Sequence, residues 1–233
     1  MSQYMTSLRS MQAVTFDVGG TLIEPWPSVG HVYAEVAAWH GLRNLSPGVL
    51  NRQFAAAWRA LKDFNHTRPE WAGLVQTTFQ GLASAPPGPA FFSDLYVRFG
   101  EPGAWRVFDD VVPTLETLAS RGIKLGVISN WDERLRPLLR RLKLYDYFET
   151  IVVSHEVGFP KPSPVIFQHA AEKLALPPEA ILHVGDSLEM DAHGARAAGL
   201  GALELRRDAD GLSPHQVKSL LDLETMLPAL AHT

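Results

Sequence analysis

The chain has 233 residues, a formal net charge of -4, 46% hydrophobic residues and no cysteine. The lack of cysteine excludes disulfides, thiolate catalysis and cysteine-ligated metal sites, and it fits a reducing compartment. The charge is too mild to indicate a nucleic-acid partner. Residues 1–10 lack the apolar segment of a signal peptide, and no apolar run approaches the roughly 20 residues of a membrane-spanning helix. We therefore expect a cytoplasmic protein with no nucleic-acid partner and no membrane partner.

The first predicted strand, residues 12–16, is apolar and ends directly before Asp17. The prolines at positions 25 and 27 then mark a linker. Apolar spacing and end signals predict four helices after it, over residues 31–40, 46–64, 69–82 and 90–99. The Pro/Gly-rich stretch 100–103 forms a second linker. We therefore predict an all-helical cap domain over residues 25–104, inserted after the first strand.

From Val107 onward, the pattern alternates between helix and strand. The predicted helices cover residues 111–121, 132–144, 163–176, 188–198 and 215–231, and the predicted strands cover residues 124–128, 150–153, 180–184 and 202–205. Such alternation indicates a parallel sheet with right-handed crossovers. The predicted fold is therefore α/β, a doubly wound parallel sheet, whose core domain comprises residues 1–24 and 105–233.

Polar side chains follow the first four strands of this predicted core. In chain order they are Asp17, then Ser129 and Asn130, then Lys161, and finally Asp186 with Asp191 five residues later. In an open parallel sheet, ligands bind at the carboxyl ends of the strands. We therefore expect these side chains to share one site. Each alone is typical of a helix cap or a solvated charge, so the prediction depends on their joint order.

The chemistry of these residues is that of phosphoryl transfer. A carboxylate such as Asp17 can attack phosphorus and form an acyl phosphate. Lys161 and Ser129 supply a positive charge and a hydrogen bond for the transferring group. Asp17 and Asp186 offer the hard oxygen ligands that suit Mg²⁺. Asp191 is placed to hold Lys161 or a metal-bound water.

The order D-x-x-G-T, S-N, K-P and G-D-x-x-x-x-D resembles the haloacid-dehalogenase-like hydrolase superfamily over nearly the whole chain. More narrowly, segments 127–130, 158–164 and 183–186 are similar to the subfamily of haloacid-dehalogenase-like hydrolase domain-containing proteins, which is related to the rhythmically expressed gene product of flies.

The resemblance implies a role for each motif residue. Asp17 would be the nucleophile, and Ser129 and Lys161 would bind and stabilise the transferring group. Mg²⁺ would be bound by Asp17, Asp186 and the backbone carbonyl of Gly19. Asp191 supports this set, and the predicted substrate-binding residues are Gly20, Thr21, Ser129, Asn130 and Lys161. The implied substrate is a small phosphorylated or otherwise anionic metabolite, while the oligomeric state stays open.

One position departs from the superfamily pattern. Its phosphatases usually carry a second aspartate two residues after the nucleophile, which protonates the leaving group, and here that position is Gly19. General acid–base catalysis contributes roughly 10²–10⁴-fold. We therefore expect good leaving groups, such as phenolates and acyl phosphates, to be favoured. Glu24 is a candidate substitute acid, and weaker candidates are His31, Asp63 and His66.

Three alternative functions stay open at this point. A haloacid dehalogenase also lacks the second aspartate but needs no metal. A phosphonate hydrolase would use a cap lysine as a Schiff base, and the predicted cap contains Lys62 as its lysine. A non-catalytic protein that binds phosphate, or is slowly phosphorylated, would retain the metal ligands without the acid.

Overall fold

The computed structural model describes residues 8, 10–61, 64–82 and 88–227. The chain divides into two compact units, residues 1–23 with 107–233 and residues 24–106. Among the described residues, no helix combines the length and the apolar character that crossing a membrane requires.

Eight strands are present in the described residues. In chain order they are β1 (Ala13–Phe16), β2 (Ile23–Pro25), β3 (Trp105–Val107), β4 (Lys124–Ser129), β5 (Thr150–Val153), β6 (Ile181–Gly185), β7 (Gly201–Leu205) and β8 (Gln216–Val217). Six of them form one sheet in the order β5-β4-β1-β6-β7-β8, and every pairing in it is parallel. The predicted fold class, a doubly wound parallel sheet, is confirmed.

Ten α-helices accompany these strands in the described part of the chain. They are α1 (Val29–Trp39), α2 (Pro47–Ala60), α3 (Arg68–Thr78), α4 (Pro89–Arg98), α5 (Val111–Ser120), α6 (Leu135–Arg141), α7 (Ser154–Val157), α8 (Pro164–Leu174), α9 (Gly194–Ala197) and α10 (Leu223–Met226). A π-helix over Leu188–His193 and short 3₁₀ turns complete the structure.

The sheet is buried on both faces, as a parallel sheet in an α/β protein requires. All four residues of β1 are fully buried. Helix α8 packs Ile166, Phe167 and Ala170 into a cluster with Ile128 of β4 and Val152 of β5. Because α8 begins three residues after Lys161, this packing fixes the loop that carries the lysine.

The unit 24–106 has a separate apolar core built from α1 to α4. Val32, Tyr33 and Val36 of α1 lie in one cluster with Leu50 of α2 and further apolar side chains of α3 and α4. The Tyr33 ring stacks on Phe79, with centroids 5.8 Å apart and planes 10° apart. The apolar spacing that predicted four helices here reflects this shared core.

Three predicted elements differ from the structure in the unit 24–106 and its edges. Helix α2 ends at Ala60 rather than near Phe64, and Ser46, which directly precedes it, makes no side-chain cap bond. Helix α3 ends at Thr78 rather than at Leu82. Strand β2 overlaps the first predicted linker, strand β3 follows the second, and the two strands pair as a small two-stranded sheet. Backbone pairing between distant segments leaves little local pattern, so these short strands were not predicted.

Three elements of the larger unit also differ. The predicted helix 132–144 is confined to Leu135–Arg141, because the Asp132 carboxylate accepts bonds from the backbone and guanidinium of Arg134 before the helix begins. The predicted helix 188–198 starts as a π-helix, in which Ala192 N donates to Ser187 O over 3.2 Å. Over residues 215–227, the predicted helix 215–231 is replaced by β8, a 3₁₀ turn and the short α10, while residues 228–231 lie outside the described residues.

Candidate active site

The strand order places the predicted motif residues side by side. Strand β1 lies between β4 and β6, and Phe16 is in register with Val127 on one side and Val184 on the other. The backbone N–H of Asp17 donates to the carbonyl of Val184 over 2.9 Å. The carboxyl end of β1 therefore meets the ends of both neighbouring strands, at the point where the order of the sheet reverses.

At this edge of the sheet, the side chains of Lys161 and Ser129 contact Asp17. Its Oδ1 accepts a hydrogen bond from Lys161 Nζ over 2.6 Å and another from Ser129 Oγ over 3.1 Å. All three residues are buried, with exposed fractions of 8%, 3% and 1% respectively. Both bonds converge on Oδ1, so neither engages Oδ2.

The loop that carries Lys161 is tied to the end of β4. Lys161 N donates to Asn130 Oδ1 over 2.7 Å, and Asn130 Nδ2 donates back to the Lys161 carbonyl over 3.0 Å. The lysine ammonium also donates to Asp191 Oδ1 over 2.5 Å. Asn130 therefore positions the lysine, and its predicted contact with substrate stays a prediction.

Two glycines leave the space that the carboxyl groups of Asp191 and Asp186 occupy. A Cβ on Gly185 would lie 2.1 Å from Asp191 Cγ, so the Asp191 carboxyl occupies the space of a side chain. Gly20 has a φ of +82°, and a Cβ there would lie 2.3 Å from Asp186 Oδ2. Gly20 is therefore required by its conformation and by the proximity of Asp186.

The charges at the site do not balance. Burial alone would lower the pKa of Lys161, but Asp17 and Asp191 raise it above its usual value, so the ammonium stays charged. Burial alone would raise the pKa of Asp191, but Lys161 and His183 hold it well below its usual range. Burial raises the pKa of Asp17 in spite of Lys161.

Asp186 carries the excess of negative charge. Its side chain reaches solvent, yet partial burial, together with the charges of Asp17 and Asp191, raises its pKa to about 7. Carboxylate oxygens of these three aspartates all lie within 4.8 Å of one another. Such a cluster of hard oxygen atoms, with one ammonium against three carboxylates, fits a divalent cation such as Mg²⁺.

The backbone around Gly19 fits the third predicted ligand. Gly20 N donates to the carbonyl of Ile23, and Ile23 N donates to that of Val18. These two bonds form a short parallel β-bridge between Gly19 and Ile23, and neither of them uses the carbonyl of Gly19. The carbonyl of Gly19 as a metal ligand stays a prediction.

Thr21 lies next to the site but is fully buried. Its carbonyl accepts a bond from Arg207 Nη2 over 2.8 Å, and its hydroxyl has no hydrogen-bond partner among the described residues. Its predicted role in substrate binding therefore has no support from an exposed side chain.

The candidate substitute acids belong to the unit 24–106. Glu24 is ion-paired with Arg106, whose Nε donates to Glu24 Oε1 over 2.9 Å. His31 hydrogen-bonds Ser28 over 2.8 Å, and His66 packs against the Phe64 ring with centroids 4.8 Å apart. Lys62 and Asp63 lie outside the described residues.

Two residues at the site received no role from the sequence. His183 on β6 hydrogen-bonds Thr15 and Asp191, over 3.0 Å and 3.1 Å. Its signal was a histidine inside an otherwise apolar strand. Trp131 places its Cζ3 atom 3.4 Å from where a Cβ on Gly19 would lie. Its position directly after Ser129 and Asn130 was the available signal.

Comparisons with known proteins agree with this geometry. The family model for haloacid dehalogenase-like hydrolases matches residues 11–199. The human haloacid dehalogenase-like hydrolase domain-containing protein 3 is 34% identical over 95% of this chain and 92% of its own length. Glyceraldehyde 3-phosphate phosphatase of Methanopyrus kandleri is 30% identical, covering 84% of both proteins.

A solved structure supports the same assignment. The haloacid dehalogenase-like (HAD) phosphatase of Thermococcus onnurineus superposes with a TM-score of 0.68 at 27% identity, covering 93% of this chain and 97% of that protein. Matches in sequence and in structure thus extend over both units of the chain. The chain belongs to the haloacid dehalogenase-like hydrolase family.

Proposed function

We propose that the chain is a Mg²⁺-dependent phosphatase in which the Asp17 carboxylate accepts the phosphoryl group. The observation that carries this proposal is the convergence of Lys161 and Ser129 on Asp17 Oδ1, which orients the carboxylate at the end of the central strand. The relatives named as phosphatases support the same class of reaction.

The proposed reaction has two steps. In the first, Asp17 Oδ2 attacks phosphorus, and the bond between phosphorus and the leaving oxygen breaks with its electron pair on that oxygen. In the second, water attacks the phosphorus of the aspartyl phosphate, the bond between phosphorus and Asp17 Oδ2 breaks with its electron pair on Oδ2, and inorganic phosphate leaves while a proton of the water passes to solvent. Lys161 and Ser129 orient the nucleophile and place positive charge and a hydrogen-bond donor where charge develops.

The cluster of Asp17, Asp186 and Asp191 supports the proposed metal site. Mg²⁺, held by Asp17, Asp186 and the Gly19 carbonyl, would neutralise negative charge on the phosphoryl group. Asp191 is engaged by Lys161 and His183, so we assign it to support rather than to direct ligation.

The preferred substrates follow from Gly19. No side chain at this position can protonate the leaving oxygen, and Lys161 is held between two carboxylates. Phosphate esters of acidic alcohols, acyl phosphates and phosphoanhydrides have leaving groups that depart without protonation. We therefore propose a small phosphorylated metabolite of one of these classes as substrate.

The decisive experiment compares hydrolysis of acetyl phosphate and 4-nitrophenyl phosphate in Mg²⁺ and in EDTA. We expect turnover of both in Mg²⁺, and loss of turnover in EDTA and in the variant Asp17→Asn. Asp146→Asn, which alters an exposed carboxylate of the same unit, is the matched control and keeps wild-type turnover.

Two outcomes would point to other functions. Chloride release from a 2-haloacid in the presence of EDTA would identify a dehalogenase, because attack of Asp17 on carbon needs neither a metal nor an acid for a halide. No turnover of either phosphate at any pH would instead favour a phosphate-binding or regulatory protein.

A further inference from the structure

A buried chain of hydrogen bonds ends at the proposed nucleophile. Thr15 Oγ1 lies 3.0 Å from His183 Nδ1, and His183 Nε2 lies 3.1 Å from Asp191 Oδ1. The same Asp191 oxygen accepts from Lys161 Nζ over 2.5 Å, and this ammonium donates to Asp17 Oδ1 over 2.6 Å. Thr15 and His183 are fully buried, and Asp191 is 1% exposed.

Strand register explains why these residues meet. Thr15 and His183 are direct partners in the β1–β6 pairing. Side chains two apart on a strand share a face, so Thr15 lies on the same face as Asp17. On β6 the corresponding neighbour of His183 is Gly185, and the Asp191 carboxyl fills the space of its missing side chain.

The donors and acceptors assign the histidine tautomer. A lysine ammonium only donates, and ionised Asp191 only accepts. His183 Nε2 must therefore carry a proton and donate it to Asp191 Oδ1. Burial lowers the pKa of His183, so the ring is neutral and Nδ1 accepts from the Thr15 hydroxyl.

Packing holds the imidazole in this orientation. The Phe167 ring of α8 meets the His183 ring edge to face, with centroids 5.2 Å apart and planes 81° apart. The ring is thus fixed by hydrogen bonds at both nitrogens and by an aromatic contact on its side.

We propose that His183 is a positioning residue that fixes Asp191, and through it places the Lys161 ammonium against Asp17. The proposal rests on the proposed phosphatase function of this site. His183 touches neither substrate nor the reacting atoms, so its role is orientation alone. Asp191 Oδ2 accepts from Ser187 N over 3.0 Å, so the bond from His183 is what holds Oδ1 on the side of Lys161. Without the Nε2–H bond, Oδ1 keeps Lys161 as its single donor among the described residues, and the ammonium is directed less firmly at Asp17 Oδ1.

The kinetic test uses three variants in Mg²⁺ with 4-nitrophenyl phosphate. His183→Phe keeps a ring but removes both nitrogens, and we expect kcat to fall about 10–100-fold with KM nearly unchanged. His183→Gln retains an N–H that can reach Asp191, and we expect it to recover most of the lost kcat. His169→Gln, on α8, is the control and retains wild-type kinetics.

The kinetic outcomes separate orientation from packing. An unchanged kcat in His183→Phe would overturn the proposal. Equal loss in His183→Phe and His183→Gln would also overturn it, because simple packing would then explain the effect. If the phenylalanine variant does not fold, comparison of His183→Gln with wild type still decides, since a loss above about tenfold contradicts the proposal.

A spectroscopic test needs no activity. In ¹⁵N-histidine-labelled wild-type protein, long-range ¹H–¹⁵N spectra should show His183 as the neutral Nε2–H tautomer, assigned by its absence in His183→Gln. Thr15→Val removes the hydroxyl that bonds Nδ1 and should shift the Nδ1 resonance. An Nδ1–H tautomer in wild type would overturn the inference. A protein with this tautomer but no phosphatase activity would refute the proposed function alone.

Discussion

Replacing Gly19 with aspartate tests whether the missing acid limits the reaction. The backbone of Gly19 does not adopt a positive φ, and the nearest atom to an added Cβ is Trp131 Cζ3 at 3.4 Å, an ordinary van der Waals distance. We therefore expect Gly19→Asp to fold with a stability change within about 1 kcal/mol.

The expected gain is set by the leaving group. If protonation is missing, Gly19→Asp should raise kcat/KM on a primary alkyl phosphate by about 10²–10⁴-fold. This range equals about 3–5 kcal/mol of transition-state stabilisation. On 4-nitrophenyl phosphate, whose phenolate leaves without a proton, the change should stay within about tenfold.

The assay measures kcat/KM on both substrates in Mg²⁺ for wild type and for the Asp, Asn and Ala replacements at Gly19. Asparagine matches aspartate in shape but is no acid, and alanine tests the effect of a Cβ alone. Our reasoning is refuted if the folded aspartate variant gains nothing on the alkyl phosphate. It is equally refuted if asparagine produces the same gain.

Three further predictions concern stability and metal binding. Gly185→Ala should lower Tm and abolish turnover, because its Cβ would lie 2.1 Å from the Asp191 carboxyl carbon. By contrast, Gly73 is an exposed position of α3, with no described heavy atom within 4 Å of an added Cβ apart from its own helix backbone, so Gly73→Ala should raise the free energy of unfolding by about 0.5–1 kcal/mol in denaturant unfolding. Mg²⁺ at about 100 times its Kd should add about 2.7 kcal/mol to the free energy of unfolding of wild type and so raise its Tm. In differential scanning fluorimetry, Mg²⁺ should leave the Tm of Asp186→Asn unchanged. Burial alone would raise the pKa of Asp110, but bonds from Arg207 and neighbouring groups lower it below its usual 3.8. The contribution of Asp110 to the free energy of unfolding is therefore present above about pH 4 and lost as pH falls through the lowered pKa. Asp110→Asn should lower the free energy of unfolding by about 2–3 kcal/mol near pH 7 and make it depend less on pH in the acid range.

Asp110 shows why part of the fold was not predictable from local pattern. Its carboxylate accepts bonds from Ser219 Oγ over 2.8 Å and from Leu220 N over 2.9 Å. These bonds join Asp110 to residues more than a hundred positions away, and they stabilise a 3₁₀ turn inside the segment 215–231, where a helix was predicted. By contrast, β5 over 150–153 was predicted at its observed bounds, because an apolar β-branched run carries its own signal.

The same distinction between local signals and distant contacts separates the site residues that the sequence could predict from those that it could not. Asp17, Ser129 and Asp186 were identifiable because each lies at the end of a strand, and parallel strands bring their ends together. Lys161 was identifiable because it lies in the connection that leads on from β5. The contact of His183 with Asp191 depends on strand register and on the space over Gly185, and neither is readable before the sheet order is known. The confirmed family resemblance rested on the first kind of signal.

The small β2–β3 sheet has a consequence for how the chain folds. Strand β1 pairs with β4 through Thr15 and Gly126, which are far apart in sequence. While the segment between them is unfolded, pairing must close a long loop, and the entropy lost on closing that loop opposes it. If residues 24–106 fold first, β2 and β3 join the two ends of that segment. The effective loop then shortens from about 110 to about 30 residues, close to two doublings, which lowers the closure cost by about 1.2 kcal/mol. The inserted unit thereby acts as a crosslink that speeds formation of the central strand pair, and destabilising it should slow refolding of the sheet more than it speeds unfolding.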